Sequence, residues 1–201
     1  MVTVSTSKTA ERTYHHGDLR SALIEAGLAQ LAQSDEERLS LRELARQVGV
    51  SPTAVYRHFP DKKALLAALA HEGINRLGEA QAEASRAAGG GAAGFAATGR
   101  AYVRFALTHP ALFRLTFMHG DHGTDQPFGD NEAARLLRTY AEAFAGPDAA
   151  RLQLQAWAVA HGLAMLMLDG MLPGDDSLID AVIDTHTLFP AQSGNNSDES
   201  P

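Results

Sequence analysis

Cysteine is absent from the 201 residues. Disulfides, thiol catalysis and thiolate zinc sites are therefore excluded. No apolar run approaches the roughly 20 residues of a membrane-spanning helix, so no membrane partner is expected. The opening stretch, MVTVSTSKTAERTYHHG, lacks the apolar core of a secretion signal, and a cytoplasmic protein is expected. β-branched runs are scarce while alanine and leucine are abundant, which favours helix throughout. Also missing are a nucleophile elbow, a glycine-rich phosphate cradle and a pair of catalytic carboxylates. No enzymatic role, catalytic residue or cofactor is expected. What remains is a chain with 45% apolar and 20% charged residues, the balance of a globular protein, long enough for one large domain or two small ones.

The net charge of −7 is unevenly spread. Residues 1–75 hold nine Lys/Arg and nine Asp/Glu, whereas residues 76–201 hold eight and fifteen. All of the net acidity thus lies in the C-terminal part. The neutral part contains the most informative stretch, LSLRELARQVGVSPTAVYRHFPDKKALL, at 39–66. Leu41, Leu44, Ala45 and Val48 follow an i, i+3, i+4, i+7 spacing, one apolar helix face. Ser40 and Glu43 have the spacing of a capping box. Gly49 suits a left-handed exit from that helix, and Ser51-Pro52 suits the start of another. Val55 and Phe59, four apart, share its buried side. Pro60 and Asp61 end it, and Asp61 can cap the next helix, which opens with Lys62 and Lys63.

Ala45, Gly49 and Val55 stand at positions 5, 9 and 15 of a helix-turn-helix. The small residue lets two helices approach, the glycine makes the turn and the aliphatic locks the crossing, so that the second helix is free to enter a DNA major groove. An ordinary αα corner would show the same triad. The capped ends and the Tyr56, Arg57, His58, Lys62, Lys63 surface favour DNA.

Residues 55–62, VYRHFPDK, resemble the recognition-helix signature of TetR-type bacterial transcriptional regulators, and TYHHGDLRSALIEAGLAQL at 13–31 resembles the first helix of that family. The resemblance is strongest over residues 13–75. It implies an all-α fold: an N-terminal three-helix DNA-binding domain, then a helical ligand-binding and dimerisation domain, about nine helices in all. Domains are expected at 13–60 and 61–189, between a disordered arm at 1–12 and a disordered Ser/Asn/Asp/Glu-rich tail at 190–201. Trp157, His161 and Gly162 resemble the Trp-His-Gly pattern of one ligand-domain subgroup.

Each residue gets a role from what it can reach. Pro52, Thr53 and Tyr56 match positions that meet bases in the family; Thr53 can hydrogen-bond, and Pro52 and the Tyr56 ring can touch thymine methyls. Ser40, Tyr56, His58 and Lys62 are phosphate candidates, with Arg57 close behind, and Ser51, which can also cap the recognition helix, completes the expected DNA-binding set. Lys8 and Arg12 in the arm suit either phosphate contact or a solvated tail, and the resemblance implies that Tyr14, His15 and His16, before the first helix, lie near the DNA backbone.

The first helix is expected at 18–33, with Leu19, Ala22, Leu23 and Ala26 on one stripe and Ile24, Leu28 and Leu31 on the next. A long helix at 62–86 starts at the DNA end and enters the second domain, the layout of a lever. Gly89, Gly90 and Gly91 form the clearest linker. Helices follow at 92–108, 111–118, 131–145, 147–169 and 177–188. His119, Asp121, His122 and Asp125 lie in a Gly/Asp-rich loop that suits either a divalent metal or plain solvation, and no metal is assigned. The second domain should hold an unknown small-molecule effector if the resemblance extends there. Tyr102, Phe105, Phe113, Phe117, Met118, Trp157, His161 and Met165 are the lining candidates, and all are equally readable as core. The helix at 147–169 is apolar nearly all round, as if buried on two sides. With the final helix it can form a four-helix seam with a second copy, as in the family, giving a homodimer through the last two helices.

The function these parts imply is a repressor that binds double-stranded operator DNA and leaves it when the effector binds. An activator or ligand-independent regulator of the same fold, and a helical interaction module that binds no DNA, are the alternatives.

Overall fold

A computed structural model describes residues 16–34, 36–119 and 129–184. The chain divides into two compact units, Met1–Leu65 and Leu66–Pro201. Among the described residues there are nine α-helices, two short 3-10 turns and no strand. None of these helices is long and apolar enough to cross a membrane. Lys8, Arg12, Tyr14, His15, the loop residues Asp121, His122 and Asp125, the side chains of His16 and His119, and the tail at 190–201 lie outside the description.

The N-terminal unit contains α1 (His16–Leu31), α2 (Leu41–Val48), α3 (Pro52–His58) and the start of α4 (Lys62–Ala87). Both stripes of α1 are used: Leu19, Leu23, Ile24, Ala26, Leu28 and Leu31 are all buried. That wide face is why α1 can pack on α2 while helping to enclose the core. Leu44, Val55, Phe59 and Leu65 are fully enclosed. The Arg20 guanidinium lies 5.4 Å from the Phe59 ring centroid, a cation–π contact. The polar stretch after α1, expected as a loop, contains a 3-10 turn at Glu36–Arg38.

Local chemistry sets the boundaries. Gly49 has φ 79°, and its N–H and that of Val50 return to the Ala45 carbonyl at 3.0 and 2.9 Å, closing α2. Ser51 accepts from the Ala54 N–H at 3.3 Å with Pro52 behind it, opening α3. Asp61 accepts from the Ala64 N–H at 2.7 Å, opening α4. The capping box at Ser40 and Glu43 does not form. Ser40 makes no side-chain cap, and Glu43 instead pairs with Arg46 one turn on. An i, i+3 ion pair along the exposed face competes for the same carboxylate.

The C-terminal unit contains the rest of α4, then α5 (Gly91–Thr108), α6 (Pro110–His119), α7 (Glu132–Ala145), α8 (Ala149–Leu168) and α9 (Asp176–Val182). Gly89 and Gly90 make a tight turn with positive φ between α4 and α5, so the expected linker joins two helices of one unit. α5 runs along α8, and α8 along α7. Phe95, Ala141 and Leu152 form a core where these three meet. α4 approaches α6 and α7 through glycines: a Cβ on Gly73 would strike the Thr116 hydroxyl, and one on Gly78 would lie 2.9 Å from the Ala133 nitrogen. α9 ends at Val182, with Ile183 as its C-cap, short of the expected 188; residues 185–188 are outside the description. Two arginines of α5 hold it. Arg104 reaches Asp176 at 2.7 Å, and Arg100 reaches Asp180 at 3.5 Å and the Ile183 carbonyl at 3.0 Å.

Candidate nucleic-acid interface and ligand cavity

α3 has two faces. Val55 is buried inside and Phe59 follows it as the C-cap, while Pro52, Thr53, Tyr56 and Arg57 point outward. Tyr56 keeps 43% of its surface exposed although it is an aromatic residue beside a closed core. Beside it on the same face stand the Thr53 hydroxyl and the Arg57 guanidinium, both exposed. His58 is half-buried. Ser40 is exposed, with its hydroxyl free of any capping role. Ser51 is exposed too, but its oxygen is engaged by the Ala54 N–H. Lys62 is half-buried, and its ammonium donates to the Glu37 carbonyl at 2.9 Å. Two of its three N–H groups stay free for another acceptor. Arg42, Arg57 and Lys63 are exposed and make no ion pair among the described residues. This unit, with nine Lys/Arg against eight Asp/Glu over residues 1–65, thus presents at its surface cations without an ion pair among the described residues.

The C-terminal unit encloses a cavity of about 660 Å³ lined by parts of α4 to α8, residues 129–131 before α7, and Ile183 and Asp184 after α9. Volumes of several hundred Å³ suit drug-sized ligands. Four of the eight lining candidates lie on it: Tyr102, Phe117, Trp157 and His161. The other four do not. Phe105 and Phe113 are buried as core, Phe105 against the His109 ring and Phe113 edge-on to Tyr102. Met118 is 71% exposed, and Met165 is half-buried away from the cavity. Helical spacing identifies a face but not whether that face meets protein or space.

Three of the lining residues are linked. The Tyr102 hydroxyl lies 2.8 Å from His161 Nδ1 and also bonds to the Trp157 indole. Indole N–H only donates, so Tyr102 accepts there. The arrangement that uses every group then has Tyr102 donating to Nδ1, with the His161 proton on Nε2. Burial holds His161 below its usual pKa and pushes the Tyr102 hydroxyl well above its own, the Trp157 bond only partly opposing that rise. Both favour the neutral forms that the pattern requires.

Sequence reasoning missed the cavity's polar lining on α4, α5 and α6. Gln81, Thr98 and Thr116 are all buried there. The signal was present in α4: Gln81 and Ser85 continue the buried line of Leu77, polar residues where the pattern calls for apolar ones.

The N-terminal unit is therefore a helix-turn-helix with an outward recognition helix, and the C-terminal unit an all-helical body around a cavity. The family description "Bacterial regulatory proteins, tetR family" matches residues 23–69, and "Tetracyclin repressor-like, C-terminal domain" matches residues 95–187. The chain belongs to the TetR family of DNA-binding transcriptional regulators. An uncharacterized HTH-type transcriptional regulator of Haemophilus influenzae is 31% identical over 63% of this chain. The match spans 61% of that relative's length. Among solved structures, a protein of unknown function from Rhodococcus sp. RHA1 is 38% identical, with a TM-score of 0.72 over 87% of this chain and 96% of its own. A TetR variant from Acinetobacter baumannii AYE, in complex with minocycline, shares the fold at 21% identity. Its TM-score is 0.54 over 83% of this chain and 95% of its own.

Proposed function

We propose that this chain is a cytoplasmic, non-enzymatic, homodimeric repressor that binds operator DNA and is released from it by a small molecule in the C-terminal cavity. The observation that carries the reading is the outward face of α3, where Pro52, Thr53, Tyr56 and Arg57 stand exposed on a helix anchored by Val55. Pro52, Thr53 and Tyr56 read bases. Ser40, His58, Lys62 and Arg57 hold phosphates, and such contacts fix register rather than sequence.

One such helix reads only a few base pairs, so two copies related by a two-fold axis bind an inverted repeat far more tightly. Support for a second copy lies on the last two helices. Leu154, Leu166 and Val182 are exposed apolar residues there, joined by Met171 in the turn between the helices. Leu154, Ala158, Gly162 and Leu166 make one i, i+4 stripe on α8, with its two smallest residues in the middle. A Cβ at Gly162 would meet nothing of its own chain within 4 Å. That geometry suits close approach of a second α8.

The effector, lined by Tyr102, Phe117, Trp157 and His161, binds better to a protein state that fits DNA poorly, so the two affinities oppose each other by linkage. α4 has residues in both units and Gln81 on the cavity. Trp157, His161 and Gly162 also fit the Trp-His-Gly subgroup: the first two serve the cavity and the third the dimer stripe.

The test is fluorescence anisotropy with labelled DNA from around the protein's own gene, at several salt concentrations, with Tyr56→Ala as control. Saturable binding to one inverted repeat, weakened by the substitution, is expected. Weak binding to any sequence, indifferent to Tyr56→Ala, would remove the regulator reading in favour of a helical interaction module.

A further inference from the structure

Gln81 holds a polar atom that nothing among the described residues satisfies. The residue is 8% exposed and stands in the cavity wall. Its Nε2 donates to the Thr98 carbonyl at 3.2 Å, which fixes the amide orientation. Its Oε1 is buried and has no hydrogen-bond partner. Other hydroxyls around it offer no help: Thr98 donates to the Phe95 carbonyl at 2.7 Å and Thr116 to the Leu112 carbonyl at 2.8 Å. A buried carbonyl oxygen without a donor is costly and calls for a missing partner. The cavity is the space from which one can come.

The rest of the wall limits what that partner is. Phe95, Tyr102, Phe117 and Trp157 provide aromatic surface. The ionisable lining among the described residues is Asp130, Asp184, Tyr102, His71 and His161, with no Lys or Arg. No Lys or Arg stands there to compensate a carboxylate or phosphate. His161 favours its neutral form, so it supplies no cation either.

We infer that Gln81 is the polar recognition residue of the cavity, and that the cavity takes an aromatic molecule that is not an anion and whose O–H or N–H group donates to the Gln81 side-chain oxygen. The inference rests on the ligand-cavity reading above and adds the chemistry of its ligand.

Trp157 is the single tryptophan of the chain and lies on the cavity, so its fluorescence reports occupancy. Three probes differ in one group: 4-propylphenol donates, 4-propylanisole does not, and 4-propylbenzoate is an anion. Wild-type protein should bind the phenol about five- to tenfold more tightly than the anisole, the usual worth of one hydrogen bond, and the benzoate more weakly than either. In Gln81→Met the preference for the phenol should vanish while affinity for the anisole persists. Equal affinity for phenol and anisole in the wild-type protein overturns the assignment, and that comparison needs no variant to fold. A phenol preference that survives Gln81→Met overturns it as well, and benzoate binding equal to phenol binding overturns the charge argument. In each of these cases the cavity remains a ligand site. If none of the three probes changes the Trp157 signal, the ligand-cavity reading itself fails and takes this inference with it.

Discussion

Val55 and Phe59 in the N-terminal unit, and Trp157 and His161 in the C-terminal unit, are both pairs four residues apart. The first pair is fully enclosed, whereas the second lines a cavity of about 660 Å³. In the first unit the apolar side of each helix is consumed by the core, and what is left to recognise a partner points outward. In the second, helices leave space between them, and the recognising groups point inward. A closed core under an exposed face suits a large, rigid partner such as DNA. A hollow lined by Tyr102, Trp157 and His161 suits a small one.

The largest expected difference between the units is in stability. Phe59→Ala should cost about 3–5 kcal/mol, the usual range for a fully buried phenylalanine. Trp157→Ala should cost about half of that or less, because one side of the ring already faces space and little new cavity is created. Chemical denaturation followed by circular dichroism gives both values. Equal losses would mean that the cavity is not an open space in solution.

Assembly is the next contrast. In Gly162→Leu the new Cβ meets no described atom of its own chain within 4 Å and glycine is replaced within a helix, a gain of up to about 1 kcal/mol for the protomer. The same side chain would block a second α8. Sedimentation velocity should therefore show monomers with full helical content. A dimer that persists would move the interface elsewhere on the surface.

Smaller again is the effect of Tyr56→Ala on DNA binding, about 1–3 kcal/mol, with the denaturation midpoint nearly unchanged because the ring is exposed. Smallest is a pH effect. The folded-state pKa of His161 lies below the ordinary 6.5. The folded protein therefore binds fewer protons than the unfolded chain below that pH. The contribution is fully present above about pH 6.5 and is lost as pH falls through the depressed folded value. NMR titration of the His161 ring should give a pKa under the ordinary value, and Tyr102→Phe, which removes the donor to Nδ1, should raise it.

The same contrast explains what could be read in the chain. The helix-turn-helix was legible because its determinants are local. Gly49, Ser51, Pro52 and Asp61 each act within a few residues, and all four do in the structure what their chemistry implies. The capping box does not form: Glu43 pairs with Arg46, one turn on, and Ser40 makes no side-chain cap. The cavity was only half legible. Helical spacing puts Phe113 and Phe117 on one face, yet only Phe117 reaches the cavity. That distinction depends on how five helices meet, which spacing within any one of them cannot encode. Gln81 went unnoticed for the same reason: its oxygen becomes an orphan only once α5 supplies the Thr98 carbonyl to the nitrogen and nothing to the oxygen.

The most direct test of the division of labour measures two affinities in two variants. Tyr56→Ala and Trp157→Ala would each be titrated with operator DNA and with 4-propylphenol. Tyr56→Ala should lose operator affinity and keep the phenol, and Trp157→Ala should keep the operator and lose the phenol, followed by calorimetry because its fluorescent reporter is gone. Operator binding unaffected by Tyr56→Ala, or phenol binding unaffected by Trp157→Ala, would contradict the assignment of DNA to the outward face of α3 and of the small molecule to the hollow of the C-terminal unit.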